Sequence, residues 1–598
     1  MIQVIRQLFS LITPTQRKRF YKLQILVVIM SFMEIIGVTS IIPFMALVGD
    51  PSQLQQDTII AKAFQASGIA SELDFLFLLG LFVLAMLLIS SAISMLTIWR
   101  LAIFGSKIGV ELADTLYIHY LRQDWLFHST GSSAQLTKKV SQEALRVSRG
   151  LVMPLMSINA RLLFIIFMSF TILIYDPRVA IIGLSIFVVA YFVLYKFVRQ
   201  RLHNNGIAIS IAHEDRFRLM NEGFGGIKDV LLLGRDDDFI DRFTKSGRAF
   251  ASSQGSTETL VHVPRYLMEL IAFGSMIILL LYLIANHDGD LGMILPIISV
   301  YALATFKLMP ALQQIYMNIG NIKANISAFE SIQQDLEESS KKEIKVSNEV
   351  FGHLSPKEKI SLENITFTYP GKNEPALANI DISISANNII GIVGPSGAGK
   401  STLIDILLGL IRPHQGQFKV DDLIINEENS RLWQNTIGYV AQSIFLSEGT
   451  ILQNVAFGIP EEKIDIEKAK SALELAHLNE FIETLDEGMN TKVGERGVQL
   501  SGGQRQRVGI ARALYHEAEV LVFDEATSSL DGITEKLIMK SIDQLSGKKT
   551  IIMIAHRLKT IQNCDKIFFL DNGKVIDEGS YQELIGKNDR FKNMAFHA

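Results

Sequence analysis

Long apolar runs fill the first half of the chain, and the second half has no run of comparable length. A helix that spans a bilayer needs roughly 20 predominantly apolar residues. The runs are of this length, so the pattern predicts six membrane-spanning helices, at about 23–48, 75–98, 151–175, 179–198, 266–285 and 291–312.

Lysine and arginine are concentrated in every second connection between these runs. They precede the first span and fill the segments between the second and third spans and between the fourth and fifth. Positive residues stay on the cytoplasmic side of a membrane, so both termini are expected in the cytoplasm. The two basic segments are helix-compatible, and we expect spanning helices that continue into the cytoplasm, with breaks at 131–133 and 223–226.

From residue 360 onward the chain alternates short β-rich runs with helical stretches. Buried strands are expected at the bounded apolar runs 389–393, 520–523, 550–554 and 566–570. Strands that alternate with helices predict an α/β domain with a largely parallel sheet. The sequence therefore divides into a transmembrane domain at 1–334, a polar and charged linker at 335–359, and an α/β domain at 360–598.

Composition agrees with a chain that lies partly in lipid. Hydrophobic residues make up 48% of the 598 residues and charged residues only 20%, less charge than the surface of a soluble protein of this size needs. The net charge of -4 gives no support for nucleic-acid binding. One cysteine, Cys564, excludes a disulfide framework and a cysteine-rich zinc site within the chain, and we expect it to be a packed thiol.

A glycine-rich loop joins the apolar run 389–393 to a helical run, and this context predicts a phosphate-binding loop. Backbone N–H groups close around phosphate oxygens at the start of a helix, where the helix dipole favours anions. The lysine is expected to reach the outer phosphates and the following serine to bind Mg²⁺. The loop and its helix start read Gly394, Pro395, Ser396, Gly397, Ala398, Gly399, Lys400, Ser401 and Thr402.

Two adjacent carboxylates, Asp524 and Glu525, follow the apolar run 520–523. Alone, such a pair is usually a solvated strand end. Beside a phosphate loop, Asp524 is expected to orient the shell of Mg²⁺, and Glu525 to polarise the attacking water as general base.

A second small turn, Ser501-Gly502-Gly503-Gln504, opens a predicted helix and offers another phosphate cradle. With these motifs the chain resembles the exporters of the ATP-binding-cassette superfamily. Several positions match that pattern: Tyr369 resembles the aromatic that stacks on adenine, Gln442 the glutamine that contacts magnesium, and Asp531, in Ser529-Leu530-Asp531, the loop at the dimer interface. His556 resembles the histidine at the γ-phosphate, and Glu495-Arg496-Gly497 the loop that touches the membrane domain.

The resemblance implies a fold, cofactors and a partner. The fold is membrane α plus α/β: a six-helix exporter domain with long cytoplasmic helical extensions, fused to a C-terminal P-loop nucleotide-binding domain. The cofactors are ATP and Mg²⁺, with Ser401, Gln442 and Asp524 at the metal and Glu525 and His556 catalytic. In that family the turn at 501–504, the signature turn, completes the ATP site of the other subunit, so we expect a homodimer; a heterodimer is the alternative.

Four charged residues lie in or beside the predicted spans: Glu34, Arg265, Glu269 and Lys307. Charge within a membrane is costly and often marks a pathway. Arg265 and Glu269 are four residues apart and could simply pair along one helix face, and Lys307 could extend to the interface. Alternatively, these residues line a cavity with a cationic wall that suits an anionic head group such as a phosphate or pyrophosphate.

The external connection at 50–71 is longer than two adjacent spans require. Ile59, Ile60, Ala63 and Phe64 fall on one helical face. We therefore expect a short helix on the outer surface with its apolar face toward lipid, or an ordered loop as the alternative.

Within the exporters, the stretches 263–269 and 307–310 and the outer helix most resemble bacterial flippases of lipid-linked oligosaccharides. The expected function is ATP-driven flipping of such a lipid across the bacterial inner membrane, with the nucleotide domain cytoplasmic. A lipid A or phospholipid flippase is the alternative, and a peptide or drug exporter is less favoured. A nucleotide-gated channel or regulator is disfavoured, because such a protein need not keep Glu525 and His556.

Overall fold

The computed structural model describes residues 6–7, 13–49, 54, 59–69, 71–175, 177–286, 291–341, 352–526, 532–555 and 558–597. Two compact units divide the chain. The first comprises Met1–Gln123 and Phe127–Ile344, and the second comprises Asp124–Leu126 and Lys345–Ala598.

Every regular element described in the N-terminal unit is a helix. Six helices are long or lie in long continuous runs: α1 Pro14–Thr39, α4 Glu72–Leu121, α8 Met153–Tyr175, α9 Pro177–Gly225, α11 Asp236–Asn286 and α12 Leu291–Lys341. Shorter helices connect or extend them: α2 Ile41–Gly49, α3 Ile59–Ser67, α5 Trp125–Thr130, α6 Ser133–Lys138, α7 Ala144–Val147 and α10 Ile227–Leu232. The predicted breaks at 131–133 and 223–226 fall at the ends of α5 and α9.

The long helices expose many large apolar side chains, as expected of helices that span a membrane. Four helical stretches in the described residues are long and apolar enough to cross a membrane: Pro14–Met45, Glu72–Leu121, Ser133–Thr171 and Asp236–Tyr282. In the second of these, Phe77 is 76% exposed and Leu81 is 67% exposed. The predicted spans 179–198 and 291–312 lie in α9 and α12, where many side chains fall outside the described residues.

Local signals explain where two of these helices begin. The Thr13 side chain accepts a hydrogen bond from the Gln16 backbone amide, and the Gln16 side chain accepts one from the Thr13 backbone amide. Pro14 occupies the first helical position. This reciprocal cap satisfies amides that have no partner within the helix. Ser71 caps α4 in the same position by accepting from the Asp74 amide.

Helix α12 ends at Lys341, past residue 335, where the linker was predicted to start.

Helices pack closely where α4 meets the segment around the start of α8. A Cβ on Gly109 would lie 2.6 Å from the Cβ of Ser148, and a Cβ on Gly105 would lie 2.6 Å from Met153. Ser148 Oγ donates to the Gly105 carbonyl at 2.6 Å across this contact. Beside it lies an apolar core that includes Phe104, Leu116, Leu151, Phe329 and Ile332.

Two π-helical segments flank α7, at Lys139–Glu143 and Ser148–Val152. A π turn inserts an extra residue into an α-helix and shifts the direction of the side chains that follow. The apolar pattern of the sequence does not reveal these segments, because both stay helical.

The external segment contains the predicted short helix, α3, and two residues of its apolar face contact neighbouring parts of the N-terminal unit. Ile60 and Phe64 pack on the cluster formed by Leu47, Leu54 and Phe75. The rings of Phe64 and Phe75 meet edge to face with centroids 5.1 Å apart. These contacts with α2 and α4 cover part of the apolar face, while Ala63 on the same face is exposed.

The C-terminal unit contains two sheets. Their strands are β1 Lys359–Phe367, β2 Leu377–Ser385, β3 Ile389–Val393, β4 Gln415–Val420, β5 Leu423–Ile424, β6 Ile437–Val440, β7 Val520–Asp524, β8 Thr550–Ile554, β9 Lys566–Asp571 and β10 Lys574–Gly579. The antiparallel sheet has the order β2-β1-β4-β5, and the other has the order β10-β9-β3-β8-β7-β6, parallel except for β10. All residues of β3 and β8 are buried, as expected for parallel strands covered on both faces.

Helices cover this unit: α13 Lys400–Leu407, α14 Ser430–Gln434, α15 Ile451–Val455, α16 Ile466–Leu475, α17 Asn479–Glu483, α18 Gly502–Tyr515, α19 Gly532–Gln544, α20 Tyr581–Lys587 and α21 Asp589–His597. Cys564 is buried in the core. Burial raises the pKa of its thiol to about 12, which keeps the sulfur protonated and unreactive.

Candidate nucleotide site

The glycine-rich loop connects β3 to α13 at the carboxyl edge of the parallel sheet. Gly397 and Gly399 adopt φ of 82° and 95°, a region that favours glycine. A Cβ on Gly399 would also lie 2.7 Å from the Ala376 carbonyl oxygen. The middle of the loop is exposed at Pro395, Ser396 and Gly397, whereas Ala398 and Thr402 are buried. The exposed part of the loop is therefore accessible to a ligand, and the buried residues fix its position.

Lys400 lies folded across this loop. Its Nζ donates to the carbonyl oxygens of Gly394 at 2.8 Å and Pro395 at 3.0 Å, and the residue is only 7% exposed. Burial lowers the pKa of this ammonium, while the charges of Glu525 and Asp524 act in the opposite direction. A buried cation held by neutral carbonyls gains from an anionic ligand, so this loop fits a phosphate chain.

The two carboxylates stand at the end of β7, next to the loop. Tyr439 Oη donates to Asp524 Oδ2 at 3.3 Å, and Gln442 Nε2 donates to Glu525 Oε2 at 2.6 Å. Burial and the Asp524 charge raise the pKa of Tyr439, which keeps its hydroxyl a donor. Ser401, Gln442 and Asp524 supply hydroxyl, amide and carboxylate oxygens, the ligand type that Mg²⁺ prefers.

Glu525 has a φ of 50°, unusual for a residue with a long side chain. Its amide donates to the Ile554 carbonyl of β8 at 3.1 Å, which helps hold the backbone in this conformation. Strained backbone of this kind is concentrated at functional sites, where the surrounding structure fixes it.

Tyr369 packs beside the start of α13. Its hydroxyl lies 3.2 Å from Thr402 Oγ1, and its ring meets Phe367 edge to face. The aromatic ring predicted to stack on adenine therefore stands next to the phosphate loop.

The second turn caps α18. Ser501 Oγ accepts from the Gln504 amide at 3.2 Å, and Gln504 Oε1 accepts from the Ser501 amide at 2.8 Å. Ser501 and Gly502 are exposed, and Gly503 is partly so. Within its own unit the turn therefore leaves its outer face open.

Arg512 fixes α18 to the segment that follows Gln442. Its guanidinium donates to the Phe445 carbonyl at 3.0 Å and to the Asn454 carbonyl at 2.8 Å, and it lies over the Phe457 ring. Burial lowers the pKa of Arg512. The Arg512 side chain therefore connects α18 to the segment that carries Gln442.

Two predicted site residues, Asp531 and His556, lie outside the described residues, as do Ser529 and Leu530. Tyr439 was missed by sequence reasoning, because a tyrosine in a strand looks like packing until its hydroxyl is placed.

The charges of the membrane half form two arrangements. Arg265 Nε donates to Glu269 Oε1 at 2.8 Å on α11, and the Arg265 side chain is 59% exposed. Lys307 is also exposed. Glu34, by contrast, accepts from Ser94 Oγ at 2.9 Å and pairs with Arg161 at 3.4 Å.

Arg161 was missed by sequence reasoning. The available signal was an arginine inside the predicted span 151–175. Its Nε also donates to Gln314 Oε1 at 2.6 Å, so the polar cluster around Glu34 joins α1, α4, α8 and α12.

Both halves of the chain match known families. A family model described as ABC transporter matches residues 377–528. A second, described as ABC transporter transmembrane region, matches residues 19–312.

Similar proteins and a similar structure cover most of the chain. An ATP-dependent lipid A-core flippase from Shewanella denitrificans is 28% identical over 99% of this chain and 98% of its own. The heterocyst differentiation ATP-binding protein HepA from Nostoc sp. is 29% identical over 83% of this chain and 82% of its own. A structure of a bacterial Atm1-family ABC exporter with ATP bound aligns with a TM-score of 0.77 and 21% identity, covering 97% of this chain and 98% of that one.

Proposed function

The chain belongs to the ABC transporters, as a half-transporter that joins a transmembrane domain to an ATP-binding domain, and we propose that a homodimer of it flips a glycolipid with an anionic head group. The bond between Gln442 and Glu525, beside the phosphate loop, carries the ATP-driven part of this proposal. It joins two residues that are far apart in sequence into one arrangement suited to orient water.

The residues of the site divide the work among them. Lys400 would turn its ammonium from the loop carbonyls to the outer phosphates, and Ser401, Gln442 and Asp524 would hold Mg²⁺, which would neutralise phosphate charge. Bound ATP supplies the phosphoanhydride bond whose hydrolysis drives transport. Gln442 orients the carboxylate of Glu525, which takes the proton of the attacking water. Tyr439 keeps Asp524 in place by donating to its carboxylate. Tyr369 packs against adenine.

The open signature turn supports the homodimer. Ser501 and Gly502 are exposed at the start of α18, with backbone donors at a helix N-terminus. The resemblance implies that such a turn contacts the nucleotide of the other subunit. Two copies of one chain would then form two equivalent ATP sites.

Two cargoes fit the proposal. The relatives named lipid A-core flippase favour lipid A-core. The exposed cations Arg265 and Lys307 would suit the phosphate groups of either that cargo or a lipid-linked oligosaccharide. Both cargoes combine a sugar head with an anionic group, so one cavity chemistry serves both.

Cargo-dependent ATP hydrolysis tests this proposal. The wild-type protein in phosphatidylcholine nanodiscs should hydrolyse ATP faster when lipid A-core or a lipid-linked oligosaccharide is added, and the stronger stimulant is the cargo. Phosphatidylcholine alone is the control. Active hydrolysis that neither glycolipid changes would contradict the proposed cargo class.

A further inference from the structure

A cavity of about 430 Å³, with several polar side chains in its wall, lies in the N-terminal unit, outside the predicted spans. It lies beside the two π-helical segments and is also bounded by α9 and α12. The polar residues of its wall include Gln142, Arg146, Arg149, His213, Asn321 and Asn325. Proposed ATP and cargo residues are absent from this wall, as far as the described residues define it.

The charge of the wall is positive. Arg146 and Arg149 are the charged residues among those described there, and none is acidic. Glu143, behind the wall, pairs with Arg146 at 2.9 Å and offsets that charge in part. Burial and the charge of Arg146 lower the pKa of His213, so this ring is neutral near pH 7. Arg149 is exposed, and no described residue forms an ion pair or hydrogen bond with its side chain.

The wall is also held in place. Arg146 Nε donates to Asn325 Oδ1 at 3.3 Å, and its Nη1 donates to Ser210 Oγ at 3.0 Å. A Cβ on Gly150 would lie 2.5 Å from Asn325, so glycine lets the helix approach the amide that orients Arg146. Groups fixed in this way bind a ligand without first losing conformational freedom.

One polar atom at the wall is unused. Gln142 Oε1 is buried and accepts no hydrogen bond from any described residue. A buried polar atom without a partner is costly, and a ligand hydroxyl would satisfy it. Gln142 lies in the first π-helical segment and Arg149 in the second, and such segments are frequent at functional sites.

We propose that this cavity binds a phosphate ester that also carries hydroxyl groups, with the phosphate on Arg149 and a hydroxyl on Gln142. Arginine suits phosphate because its planar fork can make two parallel hydrogen bonds. The ligand is either a soluble sugar or glycerol phosphate or the head group of a membrane lipid. This site is separate from the nucleotide site, and it does not depend on the proposed cargo.

Calorimetry with glycerol 3-phosphate tests the site. The full-length protein is held in phosphatidylcholine nanodiscs with saturating Mg-ADP, so that the phosphate loop is filled. Arg149→Ala should weaken binding roughly tenfold, and Arg149→Lys should weaken it less. Arg235→Ala, at an exposed arginine outside the cavity, is the matched control and should bind as wild type does.

A second variant tests the hydroxyl contact. Gln142→Leu should lower the affinity for glycerol 3-phosphate while leaving that for methyl phosphate, which has no further hydroxyl, unchanged. An equal loss for both ligands would remove Gln142 from the hydroxyl role.

Nanodiscs that contain phosphatidylglycerol distinguish the two sources of ligand. If a lipid head group fills the cavity, the wild type in phosphatidylglycerol discs should no longer bind glycerol 3-phosphate. Arg149→Ala in the same discs should bind it only as weakly as this variant does in phosphatidylcholine. Undiminished binding would identify a soluble phosphate ester. Absence of binding to the wild type in phosphatidylcholine, or equal binding by Arg149→Ala, would overturn the proposal.

Discussion

Glu525 combines a positive φ with a hydrogen bond from Gln442, and this combination makes it the side chain on which turnover should depend most. Replacing it by glutamine keeps its size and removes the proton acceptor. Glu525→Gln should therefore lower ATP turnover by roughly 100-fold or more while ATP still binds. The measurement is phosphate release alongside nucleotide affinity.

The control for this variant is Glu517→Gln, which changes an exposed glutamate of the same unit that pairs with Lys468. It should hydrolyse ATP as the wild type does. Near-normal turnover by Glu525→Gln in a clean preparation would remove Glu525 from the role of base.

Lys400 should act at an earlier step. Its ammonium is buried among carbonyls of the loop that is expected to bind the phosphates. Lys400→Ala should weaken ATP binding roughly 10-fold to 100-fold, because one charge-assisted contact is lost. Titration with a fluorescent ATP analogue measures this, with the exposed Lys574→Ala as control. An unchanged affinity of Lys400→Ala for ATP would contradict the phosphate-binding role of Lys400.

Among single residues, the sequence pattern could predict those whose role depends on neighbours in the chain. The phosphate loop could be identified because strand, loop and helix are contiguous. The bonds from Tyr439 to Asp524 and from Arg161 to Glu34 join residues 85 and 127 positions apart. Such pairs depend on how distant strands and helices pack, and apolar periodicity does not encode that.

At the scale of elements, α3 is held to α4 by its apolar face. Phe64 meets Phe75 edge to face, and Ile60 packs in the same cluster. Phe64→Ala should destabilise this external segment by about 1–3 kcal/mol. Protease sensitivity of the external loop should rise, whereas Gln65→Ala, at an exposed position of the same helix, should leave it unchanged. Equal resistance of both variants would show that lipid or another element holds α3.

Arg265 and Glu269 on α11 allow the proposed contact with an anionic cargo to be tested. Arg265 is exposed yet bonded to Glu269, so the pair could serve the cargo or only neutralise itself. If Arg265 contacts an anionic head group, Arg265→Ala should reduce transport while ATP hydrolysis survives. Arg265→Lys should restore transport in part, because an ammonium lacks the fork of a guanidinium.

The double variant separates these two roles. Arg265→Ala combined with Glu269→Ala should remain defective in lipid translocation if Arg265 binds the cargo. If the pair only neutralises itself, the single change strands a carboxylate, and the double variant should restore both heat stability and transport. Full transport by the double variant would contradict the cargo role.

Element existence and type could be predicted from hydrophobic pattern, but three features of the helices could not. The face of α3 depends on a neighbour, and the π turns near Gln142 and Arg149 keep a helical pattern. Helix α12 continues into the predicted linker to Lys341 because charged residues suit an exposed helix as well as a loop.

For the whole molecule, one chain supplies one transmembrane domain and one ATP-binding domain, with a signature turn open at its surface. A homodimer should therefore close when ATP is bound and cannot be hydrolysed. Glu525→Gln with Mg-ATP should bring two copies of a label on the ATP-binding domain closer together than Mg-ADP does. Identical separations with both nucleotides would contradict closure on ATP.

ATP-driven lipid movement is tested most directly by translocation of labelled lipid A-core and lipid-linked oligosaccharide in proteoliposomes. The wild type should move one of these glycolipids between leaflets when Mg-ATP is added, and Glu525→Gln should not, although it binds the same nucleotide. Movement of neither glycolipid by a wild type that actively hydrolyses ATP, or equal movement by Glu525→Gln, would contradict ATP-driven glycolipid flipping by this chain.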